Sequence, residues 1–305
     1  LGMVAMGQGM ALGGWGFFAA LGIIFMLTLA NVMAYAEMAL MMPTAGSISS
    51  YAEAALGNFP AILLVFAGYV TPALFGLPVE LILANGILRD VLPIGVPLYT
   101  WPVVIVLLFL GLNILGTDVF ARVQTALTFT MLVFLALTAV AAFGSGGAAP
   151  KPGFGAMGEN VTVFGVVALV MYSLIGTEFV TPLTGLARHA ARDIPRAMFW
   201  GLTVVALVNL AFCLGAAWVL GRPKLVDSPL PHLDLVNAVF GGGFRLVFAA
   251  IAIVSTASLL NTALAAVPRM LMEMAHAGEL PLATRQSLGG LISGSGGLIH
   301  YDSEP

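Results

Sequence analysis

Long uncharged stretches alternate along the chain with short segments that hold most of the charges, prolines and glycines. The pattern predicts membrane spans over residues 15–36, 61–83, 99–116, 123–143, 161–187, 197–220 and 246–270. Each comes near the roughly 20 residues that an α-helix needs to cross about 30 Å of hydrocarbon. Residues 1–12 are equally apolar but too short to cross alone, so they read as the end of an earlier helix. Counting that stretch as helix one makes the spans helices two to eight. Turn chemistry marks the linkers. Residues 141–160 carry a Gly-Ser-Gly-Gly run and Pro150-Lys151-Pro152, and residues 221–243 carry prolines, Asp227, Asp234 and a closing Gly241-Gly242-Gly243. Residues 1–281 are expected to form one transmembrane domain, and residues 282–305, which contain a glycine- and serine-rich run, a disordered tail.

Composition settles what kind of molecule this is. Of 305 residues, 60% are hydrophobic and 8% charged, with a mean hydropathy of +1.04, whereas about a quarter of a soluble protein's residues are charged. The alternation of an outer-membrane barrel is absent, so the chain is expected to be an all-α, multi-pass helical bundle. The net charge of −3 comes with no basic run able to neutralise a row of phosphates, which argues against a nucleic-acid partner. Cys213 is the only cysteine, which excludes an internal disulfide and a cysteine-based metal cluster, and the four histidines are too scattered for a metal site. No cofactor is expected. No His-Glu-x-x-His, nucleophile elbow or phosphate loop appears, so no enzymatic chemistry is expected either. No charged n-region precedes the first apolar stretch, so no cleavable signal is expected. Among the loops, the dense Arg188, Arg192 and Arg196 cluster favours placing the Met42-Pro43 side in the cytoplasm.

Two acids interrupt the apolar spans. Glu178 follows Gly176 and Thr177 in the fifth span, and an acid at membrane depth costs about 2.5–3.5 kcal/mol on insertion scales, so a chain that keeps one there is expected to use it. Glu80, after Gly76-Leu77-Pro78, lies towards the presumed outer end of the second span, where it is either a vestibule residue or merely interfacial. Asn31, Asn113, Asn209 and Asn261 fall in separate spans and suit hydrogen bonds between helices.

Three segments match one known pattern together. Ala36-Glu37-Met38, Met42-Pro43-Thr44-Ala45-Gly46-Ser47 and Tyr51 resemble the acid, Pro-x-Ala-Gly turn and tyrosine after the second helix of amino-acid permeases. Ser173-Leu174-Ile175-Gly176-Thr177-Glu178, followed by Arg192-Asp193-Ile194-Pro195-Arg196, resembles their sixth helix and its cytoplasmic exit. The stretch from Thr256 to Asn261, with Arg269 and Ala277-Gly278-Glu279-Leu280-Pro281, resembles the end of their eighth helix. The chain therefore resembles the amino acid, polyamine and organocation permease superfamily over nearly its whole length.

The resemblance implies an inverted-repeat fold of twelve helices, with helices one and six broken at the midplane around the substrate. It implies a plasma-membrane carrier, in a bacterial inner membrane, that moves an amino acid or related amine by alternating access, as antiporter or symporter. A non-transporting sensor on the same fold is the alternative. Helix six is expected to break near Ser173 to Thr177, because Gly176 loosens it there. Carbonyls of Tyr172, Ser173, Leu174 and Ile175 would then meet a substrate ammonium, and amides of the other half helix a carboxylate. Tyr172 is either the aromatic that covers the substrate or an ordinary packing residue. Glu178 is a substrate contact, a proton relay or a gate, with protons a candidate coupling ion. Ser255 and Ser258, with Thr256, stand where sodium-coupled relatives place cation ligands, although small hydroxyl residues also simply pack helices. The resemblance implies that Met131 occupies the helix-five position that a lysine fills in several proton-coupled or sodium-independent relatives. Substrate, bilayer and coupling ion are the partners implied. The family would continue into helices nine to twelve, so the chain is expected to be a fragment from the end of helix one to helix eight.

Overall fold

The computed structural model describes residues 2–42, 47–92, 94–145, 163–187, 189–221, 224–225, 228 and 231–278. Those residues form α1 (Gly2–Gly13), α2 (Trp15–Met41), α3 (Ile48–Leu56), α4 (Asn58–Val65), α5 (Thr71–Val91), α6 (Thr100–Ile114), α7 (Thr117–Ser145), α8 (Val163–Leu174), α9 (Ala190–Val219), α10 (Pro231–Phe240) and α11 (Arg245–His276). A 3₁₀ segment, Thr177–Leu186, follows α8, and a π-helical turn, Phe66–Val70, joins α4 to α5. The described residues contain no strand, and the chain is an all-α, multi-pass membrane protein. Side chains such as Phe75, Leu107 and Phe129 remain exposed, as suits helices whose solvent is hydrocarbon.

Six helical stretches are long and apolar enough to cross a membrane: Trp15–Met41, Asn58–Arg89, Asp118–Ser145, Phe164–Thr184, Ala190–Val219 and Gly242–His276. The span expected over 99–116 is the 15-residue α6 instead, which extends only about 22 Å. Its C-terminal end is set by Gly116, whose φ of 118° leaves the helical region. The linker expected over 221–243 contains α10, whose inward residues His232, Leu235 and Val236 recur at helical spacing and are buried. The proline and acid signals around them hid that period. The turn expected at Pro43 to Gly46 and the boundary at 281/282 lie outside the described residues.

The chain divides into two compact units. The first comprises residues 1–37, 129–178 and 191–252. Here α1 packs along α8, and a Cβ built on Gly13 would stand 3.0 Å from a Val166 methyl, so the small residue permits the approach. Phe17, Met10, Val166 and Val170 are buried in this unit. On α9, a Cβ at Gly215 would lie 2.8 Å from the Ala142 Cβ of α7. That is the close small-residue packing membrane helices use where lipid gives no hydrophobic drive to associate. α10 also lies against α1.

The second unit comprises residues 38–128, 179–190 and 253–305. Its core joins Leu81 and Leu88 of α5, Ile105 and Phe109 of α6, and Ala257 and Leu260 of α11. A chain of amide hydrogen bonds ties α6, α7 and α11 together: Asn113 Nδ2 donates to Asn261 Oδ1 (2.8 Å), and Asn261 Nδ2 to Gln124 Oε1 (3.0 Å). Gln124 Nε2 in turn donates to Ser258 Oγ (2.7 Å). Asn113 and Asn261 thus serve an interhelical bond, as their placement in separate spans suggested. The π turn has a covalent cause. Pro72 has no N–H for the α-helical ladder, and the Thr71 N–H reaches back to Phe66 O, one residue further than in an α-helix.

Candidate functional site

The Phe164–Thr184 span is broken where the sequence placed the break. The last α-helical bond of α8 runs from Ile175 N–H to Met171 O (3.2 Å). The next donor, Gly176 N–H, turns away from the helix and donates to Glu178 Oε2 at 3.0 Å. Gly176 can do this because its φ of 116° is open to a residue without a Cβ. The chain then resumes as the 3₁₀ segment, whose Pro182 cannot donate to an α-helical ladder. Glu178 therefore folds its carboxylate back onto the N-terminal end of this segment, where the backbone dipoles favour negative charge. The acid and the break form one device: the glycine frees an amide and the glutamate takes it.

Around this point the first unit gathers the residues singled out from the sequence. Tyr172 and Ile175 are exposed, at 46% and 58%. Gly176, Thr177 and Glu178 are half-buried. Ser173 turns its hydroxyl down the helix, donating to Leu169 O at 3.3 Å. Tyr35 of α2, half-buried, stands within electrostatic reach of Glu178. Sequence reasoning passed over Tyr35; its only signal was a polar aromatic inside the apolar run Met33-Ala34-Tyr35-Ala36.

Glu80 lies half-buried on α5, in the second unit. Ser258, one of the two serines considered for a cation, accepts the Gln124 amide, which is the behaviour of an interhelical packing residue. Ser255 is half-buried one turn before it. Among the described residues no group of three or more His, Cys, Asp or Glu side chains could hold a metal ion.

The continuation of the 3₁₀ segment is fastened within the second unit. Phe179 meets Tyr69 of the π turn edge-on, with ring centroids 5.2 Å apart. The hydroxyls of Thr181 and Ser47 lie 2.8 Å apart, and Thr184 Oγ1 donates to Thr181 O at 2.6 Å. Ser47, Thr181 and Thr184 are all buried. Burial also pushes the Tyr51 hydroxyl, one turn after Ser47, up to about 12.

Comparison with known proteins agrees with this geometry. A family model described as amino acid permease matches residues 2–289. The chain is 28% identical over 275 residues to the gamma-aminobutyric acid permease of Escherichia coli K12, covering 81% of this chain and 55% of that protein. It is 27% identical over 270 residues to the serine/threonine exchanger SteT of Bacillus subtilis, covering 86% of this chain and 60% of the exchanger. A probable GABA permease of Pseudomonas aeruginosa is 24% identical over 274 residues, covering 80% of this chain and 54% of that protein. The chain thus spans somewhat more than half the length of these relatives.

Proposed function

The chain belongs to the amino acid permease family, and from that premise we propose that it is the substrate-binding part of a secondary transporter. The protein moves an amino acid or a related small amine across a bacterial inner membrane by alternating access and performs no chemistry on it. Relatives named for γ-aminobutyrate, for serine and threonine, and for arginine and ornithine support that substrate class. Residues 1–281 make up the permease domain.

The observation that carries the reading is the break itself. Non-helical backbone at membrane depth is tolerated only where it is buried in protein or lines a cavity, and an acid there is costly unless used. Here both occur within three residues, Gly176 to Glu178, and are bonded to each other. In this reading the end of α8 offers carbonyls to a substrate ammonium. Tyr172 and Ile175 flank the substrate, with Ser173 and Thr177 beside them. Glu178 exchanges its bond to the Gly176 amide either for the substrate or for a proton, and in the second case protons are the coupling ion. Glu80 serves as a second, water-reaching acid.

The test is tracer flux in proteoliposomes holding the full-length protein, competed with a panel of amino acids, diamines and short amines. Saturable, competable uptake is expected. Binding without flux would overturn the carrier reading.

A further inference from the structure

Ser47 is the one non-glycine residue with a positive φ among the described residues, at φ 49° and ψ −109°. This lies outside even the small left-handed region open to ordinary residues, so the backbone is strained. Ser47 caps α3, with the Ile48 N–H 2.5 Å from its Oγ. What the strained geometry also provides is a bond at long range, to Thr181 Oγ1 at 2.8 Å, from a residue 134 positions away in the chain.

That partner lies beyond the helix break. Thr181 belongs to the 3₁₀ segment that continues from the helix break, and in the second unit Ser47 holds this segment at Thr181 and Tyr69 meets it at Phe179. Both anchors rise from irregular backbone, a positive φ and a π turn. Beside them lies an unmet demand. The Tyr51 hydroxyl is buried on the same edge of α3, one turn after Ser47, and has no hydrogen-bond partner. A buried hydroxyl left without a partner and a strained residue are both relieved by rearrangement, and the two residues lie one turn apart at the start of α3.

We propose that Ser47 is a positioning residue for transport, a spring-loaded latch whose hydroxyl holds the half-helix beyond the break through Thr181 and releases it once per cycle. The latch lets go when the 3₁₀ segment shifts. Release relaxes the Ser47 backbone. The inference rests on the carrier reading above for the word cycle, but the two positions of the latch are observable without flux.

The test uses the full-length protein with Cys213→Ala and any further cysteines replaced, carrying Ser47→Cys and Thr181→Cys. Hydroxyls 2.8 Å apart place the two side chains within reach of a disulfide. Mild oxidation is expected to join them, with a yield that changes when a transported amino acid is added. Oxidised protein should bind that amino acid as the reduced protein does, transport it at least tenfold more slowly, and recover on reduction. In the cysteine-free background, Thr181→Ser should keep normal flux, while Thr181→Val lowers it by about threefold, the scale of one interhelical hydrogen bond in a membrane. Failure of the pair to cross-link, or transport by the cross-linked protein at the reduced rate, overturns the latch. If the unmodified protein transports nothing, the carrier reading fails by itself, and a cross-linking yield indifferent to every amino acid that binds then overturns the latch as well.

Discussion

Replacing Glu178 tests the break and the acid together, because the two are joined by one hydrogen bond from Gly176 N–H to Glu178 Oε2 at 3.0 Å. A hydrogen bond to a charged group contributes about 1.5–3 kcal/mol and one between neutral groups about 0.5–1.5 kcal/mol. Glu178→Gln keeps an oxygen that can face Gly176 but loses the charge, so it gives up about 1–1.5 kcal/mol. If the capped break is the substrate site, flux falls by about tenfold or more. Glu178→Ala removes the acceptor as well and strands the Gly176 amide, which costs about 1–3 kcal/mol, so a further drop of about tenfold is expected. Neither change should lower the amount of protein at the membrane, since a neutral side chain inserts more easily than an acid. The assay is initial-rate uptake by the full-length protein in proteoliposomes, normalised to reconstituted protein. Near-normal flux from Glu178→Gln would sink the role of the charge. Equal rates for Gln and Ala would sink the role of the bond.

Sodium should be dispensable, because Ser258 spends its oxygen on an amide donor from Gln124, which would also repel a cation; loss of flux when choline replaces sodium would overturn this. Asn261→Ala removes two interhelical bonds from a fully buried site. At about 0.6 kcal/mol for an average bond of this kind, with a small cavity added, it should destabilise by about 1–3 kcal/mol, read as a lower Tm in detergent. His232, on α10, is held neutral by burial, with its pKa lowered to about 4. An unfolded histidine takes up its proton near pH 6.5, so between those values the unfolded state binds more protons. Stability should therefore be complete above about pH 6.5 and fall by about 3 kcal/mol towards pH 4. Thermal melts across this range should show the slope in the native protein and lose it in His232→Gln; an unchanged slope would place its origin elsewhere.

What could be read without coordinates was local in its physics. Whether a stretch crosses a membrane depends on the transfer free energy of about 20 consecutive residues, a sum taken over composition alone. For that reason the long spans and the break at Gly176 were legible, and Glu178 could be singled out, since an acid's cost at membrane depth needs no knowledge of its neighbours. Misreadings arose where local signals conflicted. Prolines and acids masked the short helix Pro231–Phe240, and apolar character extended the 99–116 span beyond the 15 residues that are helical.

The pairings belong to the tertiary structure. Lipid is as apolar as leucine, so in a membrane helix the hydrophobic period does not separate the face that meets protein from the face that meets hydrocarbon. Nothing in the order of residues shows that Asn261 faces Asn113 and Gln124, or that Ser258 turns to an amide rather than to an ion. The same holds for Tyr35 beside Glu178 and for Ser47 against Thr181. These contacts join residues more than a hundred positions apart, and only the packing of the helices, which brings a few polar groups within about 3 Å of one another, decides which of them meet.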